Sequence, residues 1–174
     1  MWTNTQDIGV AQLWNAGVRA FDLRPAYVKG AMGIYHDKYS AHVTFPQVMG
    51  MLISALQRDS GEFAVVLIRH EEEADGATDE WGEVFGEYLS GISDCIADWS
   101  PGLTVGQLRG KILILSRNEY AGGPIGGYIR GWYSGDESER QLGASVTGPS
   151  GESGPLWIQD YYDPADADFK WSQV

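Results

Sequence analysis

Positive charge is scarce in this chain of 174 residues. Its 12 lysines and arginines stand against 24 aspartates and glutamates, which gives a formal net charge of -12. Proteins bind nucleic-acid backbones by neutralising phosphates with lysine and arginine, so this balance argues against a nucleic-acid partner. The same balance weakens binding to strongly anionic membranes. The charge balance therefore argues against nucleic acid as a partner and disfavours strongly anionic membranes.

Cysteine and long apolar runs are also scarce. The single cysteine, Cys95, cannot form an intramolecular disulfide, and its place in an apolar helical stripe predicts a packing residue. No uninterrupted apolar run reaches the roughly 18 residues that indicate a membrane span. Residues 1–7 have neither the basic nor the apolar region of an export signal, so we expect no signal peptide within this sequence.

Sequence motifs for metals, nucleotides and serine nucleophiles are missing. There is no His-x-His, His-x-x-x-His or paired-cysteine spacing that would indicate a metal site. There is no Gly-x-Ser-x-Gly motif, and the glycines of residues 122–127 lack the helix and lysine of a phosphate-binding loop. We therefore expect a protein that uses neither a metal nor a cofactor.

Apolar strands alternate with amphipathic helices along the chain, as in a parallel α/β fold. The predicted strands are residues 17–24, 32–36, 63–68, 111–115 and 156–158. The predicted helices cover residues 44 to about 58 and 78 to about 99, and a loop rich in Gly, Ser and Pro follows over about 121–154. We expect residues 1–174 to form a single, incomplete catalytic domain.

Polar side chains gather where the predicted strands end. They are Asp22 and Arg24, His36, Arg69 and His70, Arg117, and Asp160 and Tyr162. In a (β/α) barrel the carboxyl ends of the strands meet at one rim, where active sites lie. We therefore expect a TIM-like barrel rather than a doubly wound open sheet. Because five strands cannot close an eight-stranded barrel, we expect a partial barrel that residues outside this sequence complete.

Each of these residues also has a purely structural interpretation. Asp22 and Arg24 lie two apart on a strand and point to the same side, so they could form a structural ion pair. His36 would be within reach of that pair only if the two strands are neighbours, and otherwise it and His70 are structural histidines. The acidic run at residues 71–73 is typical of a solvated turn, with a catalytic carboxylate as the alternative.

Four segments taken together resemble a known family. They are residues 17–24 (GVRAFDLR), Tyr35-His36, residues 109–117 (RGKILILSR) and residues 158–162 (IQDYY). In this order and spacing they resemble the X domain of bacterial phosphatidylinositol-specific phospholipase C, from about Trp2 to Tyr162. The resemblance implies a distorted (β/α) barrel that cleaves phosphatidylinositol into diacylglycerol and a cyclic inositol phosphate, which can then be hydrolysed.

The resemblance also implies a role for each matched residue. His36 matches the general acid that protonates the departing alkoxide. Arg24 matches the arginine that stabilises charge at phosphorus where eukaryotic relatives hold calcium, and Asp22 would orient the site. The matched residues that contact inositol are Arg117, Asp160 and, by stacking on the ring, Tyr162.

The chain departs from the family pattern in three places. Where the family commonly has an inositol-binding lysine, either Arg69 or His70 could take its place. Asp37 stands where the family usually has glycine after the acid histidine. The general-base histidine of a His-Asp-Ser-type motif would precede the matched part, and its supporting aspartate would follow Val174. Without a base we expect the chemical step to lose roughly a hundred to ten thousandfold, so this polypeptide alone should be weakly active.

Two other functions remain open. A non-catalytic barrel could use the same residues to bind an inositol or phospholipid head group. An enzyme similar to glycerophosphodiester phosphodiesterase would need a metal pair, Glu-x-Asp, where this chain has Ala20-Phe21-Asp22. The expected partners are phosphatidylinositol or a related inositol phospholipid and, transiently, a membrane surface. Because members of the resembled family are typically secreted or attached to the cell envelope, we expect the same of the parent protein.

Overall fold

The computed structural model describes residues 9–132 and 144–158, together with Asp168 and Trp171. Short strands and helices alternate in these ranges. In chain order they are α1 (Val10–Asn15), β1 (Ala20–Leu23), β2 (Pro25–Val28), β3 (Ala31–His36), β4 (Tyr39–Thr44), α2 (Phe45–Arg58), β5 (Ala64–Ile68), α3 (Glu72–Asp75), α4 (Glu80–Gly91), β6 (Ile96–Ala97), α5 (Val105–Leu108), β7 (Ile112–Ser116), β8 (Gly127–Arg130), β9 (Ala144–Thr147) and β10 (Ser153–Leu156).

The larger sheet has seven strands in the order β1-β5-β7-β8-β9-β10, with β6 also pairing with β7. The pairs β1–β5, β5–β7, β6–β7 and β7–β8 are parallel, whereas β9 is antiparallel to both of its neighbours. The parallel α/β core predicted from the sequence is therefore confirmed. The carboxyl ends of β1, β5, β7 and β8 lie at one edge of this sheet, and the predicted site belongs there.

The two faces of the sheet are buried by different partners. On one face, Phe21 and Leu23 of β1 pack in a cluster with Phe45 of α2 and Phe85 of α4. The other face carries a smaller apolar cluster, which comprises Leu108, Leu113, Leu115, Ile129 and Val146. Because side chains alternate along a strand, Asp22 points away from Phe21 and Leu23 and lies on the second face.

The strand predicted at residues 32–36 exists as β3, but it lies outside the parallel sheet. It pairs on both sides in an antiparallel sheet of order β2-β3-β4. The reason is the connection between β2 and β3, where Lys29 and Gly30 both have positive φ, at 51° and 81°. Two residues suffice for an antiparallel hairpin, whereas a parallel crossover needs a dozen or more.

The helix predicted to run to residue 99 is shorter. It ends at Gly91, and a 3₁₀ turn, Ser93–Cys95, leads into β6, where Ile96 pairs with Ile112 of β7. The apolar spacing continues past the helix end because Ile96 is buried as a strand residue, so periodicity alone does not reveal the boundary. Cys95 is a half-buried free thiol in that turn rather than a helical packing residue.

The segment predicted as a loop over about 121–154 contains β8, β9 and the start of β10. Its buried apolar side chains, Tyr128, Ile129, Ala144 and Val146, are too few and too far apart to produce a clear strand pattern. Gly126 leads into β8 with φ 85°, and a Cβ there would lie 2.2 Å from the carbonyl oxygen of Ile114. The glycine-rich composition therefore reflects a close approach of β8 to β7. None of the helices in the described ranges is long and apolar enough to cross a membrane.

Candidate functional site

Three arginines follow three neighbouring parallel strands at the same level. The registers pair Leu23 with Ile68 and Ile68 with Ser116, so the next residues along are Arg24, Arg69 and Arg117. The amide of Arg69 donates to the Leu23 carbonyl at 3.2 Å, and the amide of Arg117 donates to the Ile68 carbonyl at 2.8 Å. Adjacent strands lie about 4.8 Å apart, so one edge of the sheet carries a row of three guanidinium groups.

Arg24, the first of these arginines, is held by a buried glutamate. Its Nη1 lies 3.3 Å from Oε2 of Glu71, whose side chain is 3% exposed. The amide of Glu71 also donates to the Pro25 carbonyl, at 3.1 Å. The interpretation of residues 71–73 as a solvated turn is therefore wrong for Glu71. Glu71 is a part of the candidate site that sequence reasoning missed, since nothing in a run of three glutamates indicates which one is buried.

The pKa values of Glu71 and its neighbour Glu73 depend on each other. Burial raises the pKa of Glu71, a hydrogen bond from Glu73 raises it further, and the charge of Arg24 lowers it. The pKa of Glu73 is lowered by a hydrogen bond to its own backbone and by its bond with Glu71. The two carboxyl groups therefore titrate as a pair, in which Glu71 holds the proton more readily.

Asp22 lies exposed on β1, where its Cα partner is Leu67 of β5. In the part of the chain that the structure describes, no ion pair joins Asp22 to Arg24, because Glu71 occupies that role. The structural ion pair that the sequence left open is therefore between Arg24 and Glu71. Asp22 lies two residues before Arg24 and, within β1, on the face opposite to Phe21 and Leu23.

His36 ends β3 beside the segment that carries Arg24. The amide of Tyr35 donates to the Arg24 carbonyl at 2.9 Å, so the end of β3 lies beside the residue that follows β1. The two predicted strands themselves are not paired, because β3 pairs with β2 and β4 in a separate sheet. The histidine itself is exposed. Asp37 follows it with φ 54°, the left-handed conformation that favours glycine and that aspartate tolerates better than most residues. The aspartate therefore stands where glycine would be less strained.

Arg69 and His70 point to opposite sides of the chain. Arg69 lines a cavity of about 320 Å³ whose other residues are Arg117, Asn118, Ile129, Arg130, Gly131 and Trp132. His70 is buried away from it, with Nε2 2.8 Å from Oδ2 of Asp75 and its ring stacked on Trp81 at a centroid distance of 4.3 Å. Of the two candidates for the inositol-binding position, only Arg69 lies among the residues that line this cavity.

Asp75 connects the loop after β5 to the antiparallel sheet. Its Oδ2 accepts from the amide of Tyr27 at 2.9 Å as well as contacting His70, and its Oδ1 accepts from the amide of Ala77 at 3.1 Å. The indole nitrogen of Trp81 donates to the Pro25 carbonyl at 3.0 Å. These bonds hold the segment that carries Glu71, and no short-range pattern in the sequence predicts them.

Arg117 lies over an aromatic ring within the cavity. Its Cζ is 4.4 Å from the centroid of the Trp132 ring, a cation–π contact. Arg130 lies nearby and contacts Oε1 of Glu119 at 2.6 Å. The predicted inositol-binding residues Asp160 and Tyr162 lie outside the described residues, so their roles stay predictions. Within the described ranges, no group of three or more His, Cys, Asp and Glu side chains is arranged to hold a metal.

No protein-family model matches the sequence. No curated protein matches it. Solved structures, however, are similar to it.

The phosphatidylinositol-specific phospholipase C of Listeria monocytogenes is 20% identical at a TM-score of 0.55, over 70% of this chain and 44% of that one. A structure of the Staphylococcus aureus enzyme, concerned with modulation of its membrane binding, is 20% identical at a TM-score of 0.66, over 91% and 53%. A second S. aureus structure, with pentafluorophenylalanine incorporated, has a TM-score of 0.64 at 20% identity, over 91% and 55%.

The chain thus spans about half the length of the structures that it resembles. At 20% identity the likeness is one of fold, and it agrees with the parallel pairing of β1, β5 and β7. The chain therefore has the α/β, TIM-like barrel fold of the bacterial phosphatidylinositol-specific phospholipases C, and it corresponds to about half of their length.

Proposed function

We propose that the chain is part of a phosphoric diester hydrolase or lyase that cleaves phosphatidylinositol and releases diacylglycerol and a cyclic inositol phosphate. The observation that carries this proposal is Arg24, which the buried Glu71 holds at the carboxyl edge of β1. A positioned cation at that edge, in a fold shared with phosphatidylinositol-specific phospholipases C, suits the stabilisation of charge at phosphorus.

The proposed reaction is an internal displacement at phosphorus. The inositol 2-hydroxyl oxygen bonds to phosphorus, and the bond from phosphorus to the diacylglycerol oxygen breaks. The hydroxyl proton passes to a general base, while His36 donates a proton to the departing oxygen. Arg24 stabilises the charge that builds up on the phosphoryl oxygens, and its planar fork can contact two of them. We assign the general base to none of the described residues.

In the proposed complex the row of arginines also receives the inositol ring. Arg69 and Arg117 follow β5 and β7, the next two strands along the sheet from β1, and the proposed head group extends from Arg24 toward them. Asp160 and Tyr162 complete the proposed ring contacts, and Asp22 orients Arg24. We propose a bacterial protein, secreted or attached to the cell envelope, that acts on phosphatidylinositol at a membrane surface without a metal.

The test is an assay of the natural full-length protein on vesicles that contain phosphatidylinositol, with diacylglycerol release as the readout. We expect Arg24→Ala to reduce turnover by about a hundred to a thousandfold, because it removes the charge at the phosphoryl oxygens. Arg58→Ala is the control, because Arg58 is exposed at the far end of α2. A chelator should leave activity unchanged.

Other results would favour the other functions. A wild-type protein that binds the vesicles but releases no diacylglycerol would be a non-catalytic head-group-binding barrel. Loss of activity on chelation and its return with a divalent ion would favour a metal-dependent glycerophosphodiester phosphodiesterase-like enzyme. Equal effects of Arg24→Ala and Arg58→Ala would overturn the role proposed for Arg24.

A further inference from the structure

Two exposed aromatic side chains lie at the edge where β1, β5, β7 and β8 end, here called the carboxyl rim. They are Tyr39 and Trp157, which are 47% and 75% exposed. Trp157 directly follows β10, and β10 runs parallel to β8 because β9 is antiparallel to both, so β10 ends at this rim. Single exposed aromatics are common on protein surfaces, so the position of these two carries the argument.

Tyr39 is the cross-strand neighbour of His36, the proposed general acid. The antiparallel register of β3 and β4 places the two residues directly opposite each other. Side chains in such a pair project from the same face of the sheet, with their Cβ atoms about 5 Å apart. Both residues are exposed. The hairpin lies at the carboxyl rim, because the amide of Tyr35 donates to the carbonyl of Arg24, the residue that follows β1.

The proposed reaction determines which side of the site faces the bilayer. His36 donates its proton to the oxygen of diacylglycerol, and the acyl chains joined to that group stay in the bilayer. The inositol ring extends the other way, from Arg24 toward Arg69. The side chain next to His36 therefore faces the membrane surface while the phosphodiester is bound. This step rests on the proposed function, whereas the exposure of Tyr39 beside His36 does not.

We propose that Tyr39, together with Trp157 at the other end of the rim, contacts the head-group region of a zwitterionic phospholipid bilayer. Tyrosine and tryptophan rings favour this depth because their apolar ring and their polar group both find partners there. The turn beside Tyr39 carries one charge of each sign, on Asp37 and Lys38, and the Lys38 Nζ lies 5.7 Å from the centroid of the Tyr39 ring. The net charge of -12 disfavours an anionic surface, so burial of the aromatic rings holds the rim to the bilayer.

The test measures binding of the natural full-length protein to vesicles of phosphatidylcholine alone, by sedimentation of sucrose-loaded vesicles. These vesicles contain no inositol head group, so the partition coefficient reports contact with the bilayer and not substrate recognition. We expect Tyr39→Ser to lower the coefficient by roughly five- to tenfold, because serine cannot bury an aromatic ring. Trp157→Ser should lower it to a similar extent, whereas Tyr39→Trp should bind as tightly as the wild type or more tightly.

Val105→Ser is the matched control for these variants. Val105 is 58% exposed, but it begins α5, which directly precedes the amino end of β7 and so lies toward the opposite edge of the sheet. Its partition coefficient should equal that of the wild type. Higher salt should not weaken wild-type binding, as it would weaken an electrostatic contact, and an equal mixture of phosphatidylcholine and phosphatidylglycerol should bind no more tightly than phosphatidylcholine alone. Circular dichroism checks that each variant is folded.

Equal partition coefficients for the wild type and Tyr39→Ser would overturn the proposal, as would an equal loss in Val105→Ser or binding that high salt abolishes. If Tyr39→Ser leaves vesicle binding unchanged but abolishes self-association in sedimentation velocity, the surface contacts a second copy of the chain and the proposal is wrong.

Failure of the proposed function would look different. A wild-type protein that binds phosphatidylcholine through Tyr39 but releases no diacylglycerol from phosphatidylinositol would keep the membrane-facing rim and overturn only the proposed function. Conversely, a protein that releases diacylglycerol but partitions onto phosphatidylcholine independently of Tyr39 would keep the function and overturn the assignment of this surface.

Discussion

Arg24 and Glu71 meet across the carboxyl ends of two neighbouring parallel strands, with Nη1 of the arginine 3.3 Å from Oε2 of the glutamate. The burial of the pair is one-sided, because the Glu71 side chain is 3% exposed and the Arg24 side chain is 32% exposed. The carboxyl group is thus enclosed by protein, while part of the guanidinium still faces solvent. Because Glu71 contacts the buried side of the Arg24 guanidinium, the solvent-facing side of that group can bind an anionic ligand.

Glu71→Gln should lower the activity of the natural full-length protein on phosphatidylinositol by about tenfold or more. Glutamine keeps the shape of the side chain but removes the charge that orients Arg24, and charge-assisted hydrogen bonds are about twice as strong as neutral ones. The loss should appear in kcat more than in KM, because Arg24 acts on charge that develops in the transition state. Steady-state kinetics on mixed micelles measures both.

Glu72→Gln is the control for this change, since Glu72 is the exposed neighbour of Glu71. We expect its kinetics to match those of the wild type. If the two variants behave alike, Glu71 does not position Arg24, and the ion pair has only a structural role.

Glu71 should also make stability depend on pH in a direction opposite to that of an ordinary paired carboxylate. Its pKa is raised in the folded protein, so the folded state binds the proton more tightly than the unfolded chain. Its contribution is therefore full below the ordinary value of 4.5 and is lost as pH rises through the folded pKa. Urea unfolding from pH 4 to pH 8 should show the wild type losing stability relative to Glu71→Gln as pH increases.

Glu73 should make the stability of the protein depend on pH in the opposite direction, because its pKa is lowered in the folded state. Its contribution is present above 4.5 and is lost as pH falls through the folded value. A Glu73→Gln variant should accordingly show a weaker loss of stability on acidification than the wild type. A stability difference between wild type and Glu71→Gln that stays constant over the whole pH range would contradict the raised pKa.

The row of arginines could be anticipated from the sequence, whereas their partners could not. Arg24, Arg69 and Arg117 each follow an apolar run, and parallel strands bring such positions to one edge of a sheet whatever the lengths of the connections. Glu71 and Asp75 differ because their burial depends on contacts with residues about 47 positions away. Local periodicity carries no information about contacts at that separation.

The pairing of the strands could not be predicted from local sequence either. His36 was correctly assigned to a strand, yet only the two-residue turn at Lys29 and Gly30 determines that this strand is antiparallel. Likewise β8 and β9 are four residues each, and their burial comes from pairing with each other and with β7. Such short strands have no sequence pattern of their own, so contacts with neighbouring strands determine that they form.

Gly86→Ala should destabilise the protein by about 1–3 kcal/mol or more. A Cβ at this position of α4 would lie 1.9 Å from the carbonyl oxygen of Ala121, so the helix or the following loop must shift. Gly50→Ala is the matched control, because Gly50 lies in α2 with no atom within 4 Å of the added group, and alanine there should stabilise by up to about 1 kcal/mol. Urea unfolding gives both values, and destabilisation of similar size at the two sites would contradict this packing.

Asp75→Asn tests whether the cluster behind the site holds Glu71 in place. The Asp75 side chain is 1% exposed and its oxygens contact the His70 ring and the amides of Tyr27 and Ala77. An amide offers one acceptor oxygen instead of two, so we expect a loss of about 2 kcal/mol or more in the free energy of unfolding. Asp79→Asn, on the exposed side of the same loop, should change it by no more than about 0.5 kcal/mol. Where Asp75→Asn is still folded, its kcat should fall as in Glu71→Gln, and unchanged kcat in the folded variant would show that Glu71 is positioned without this cluster.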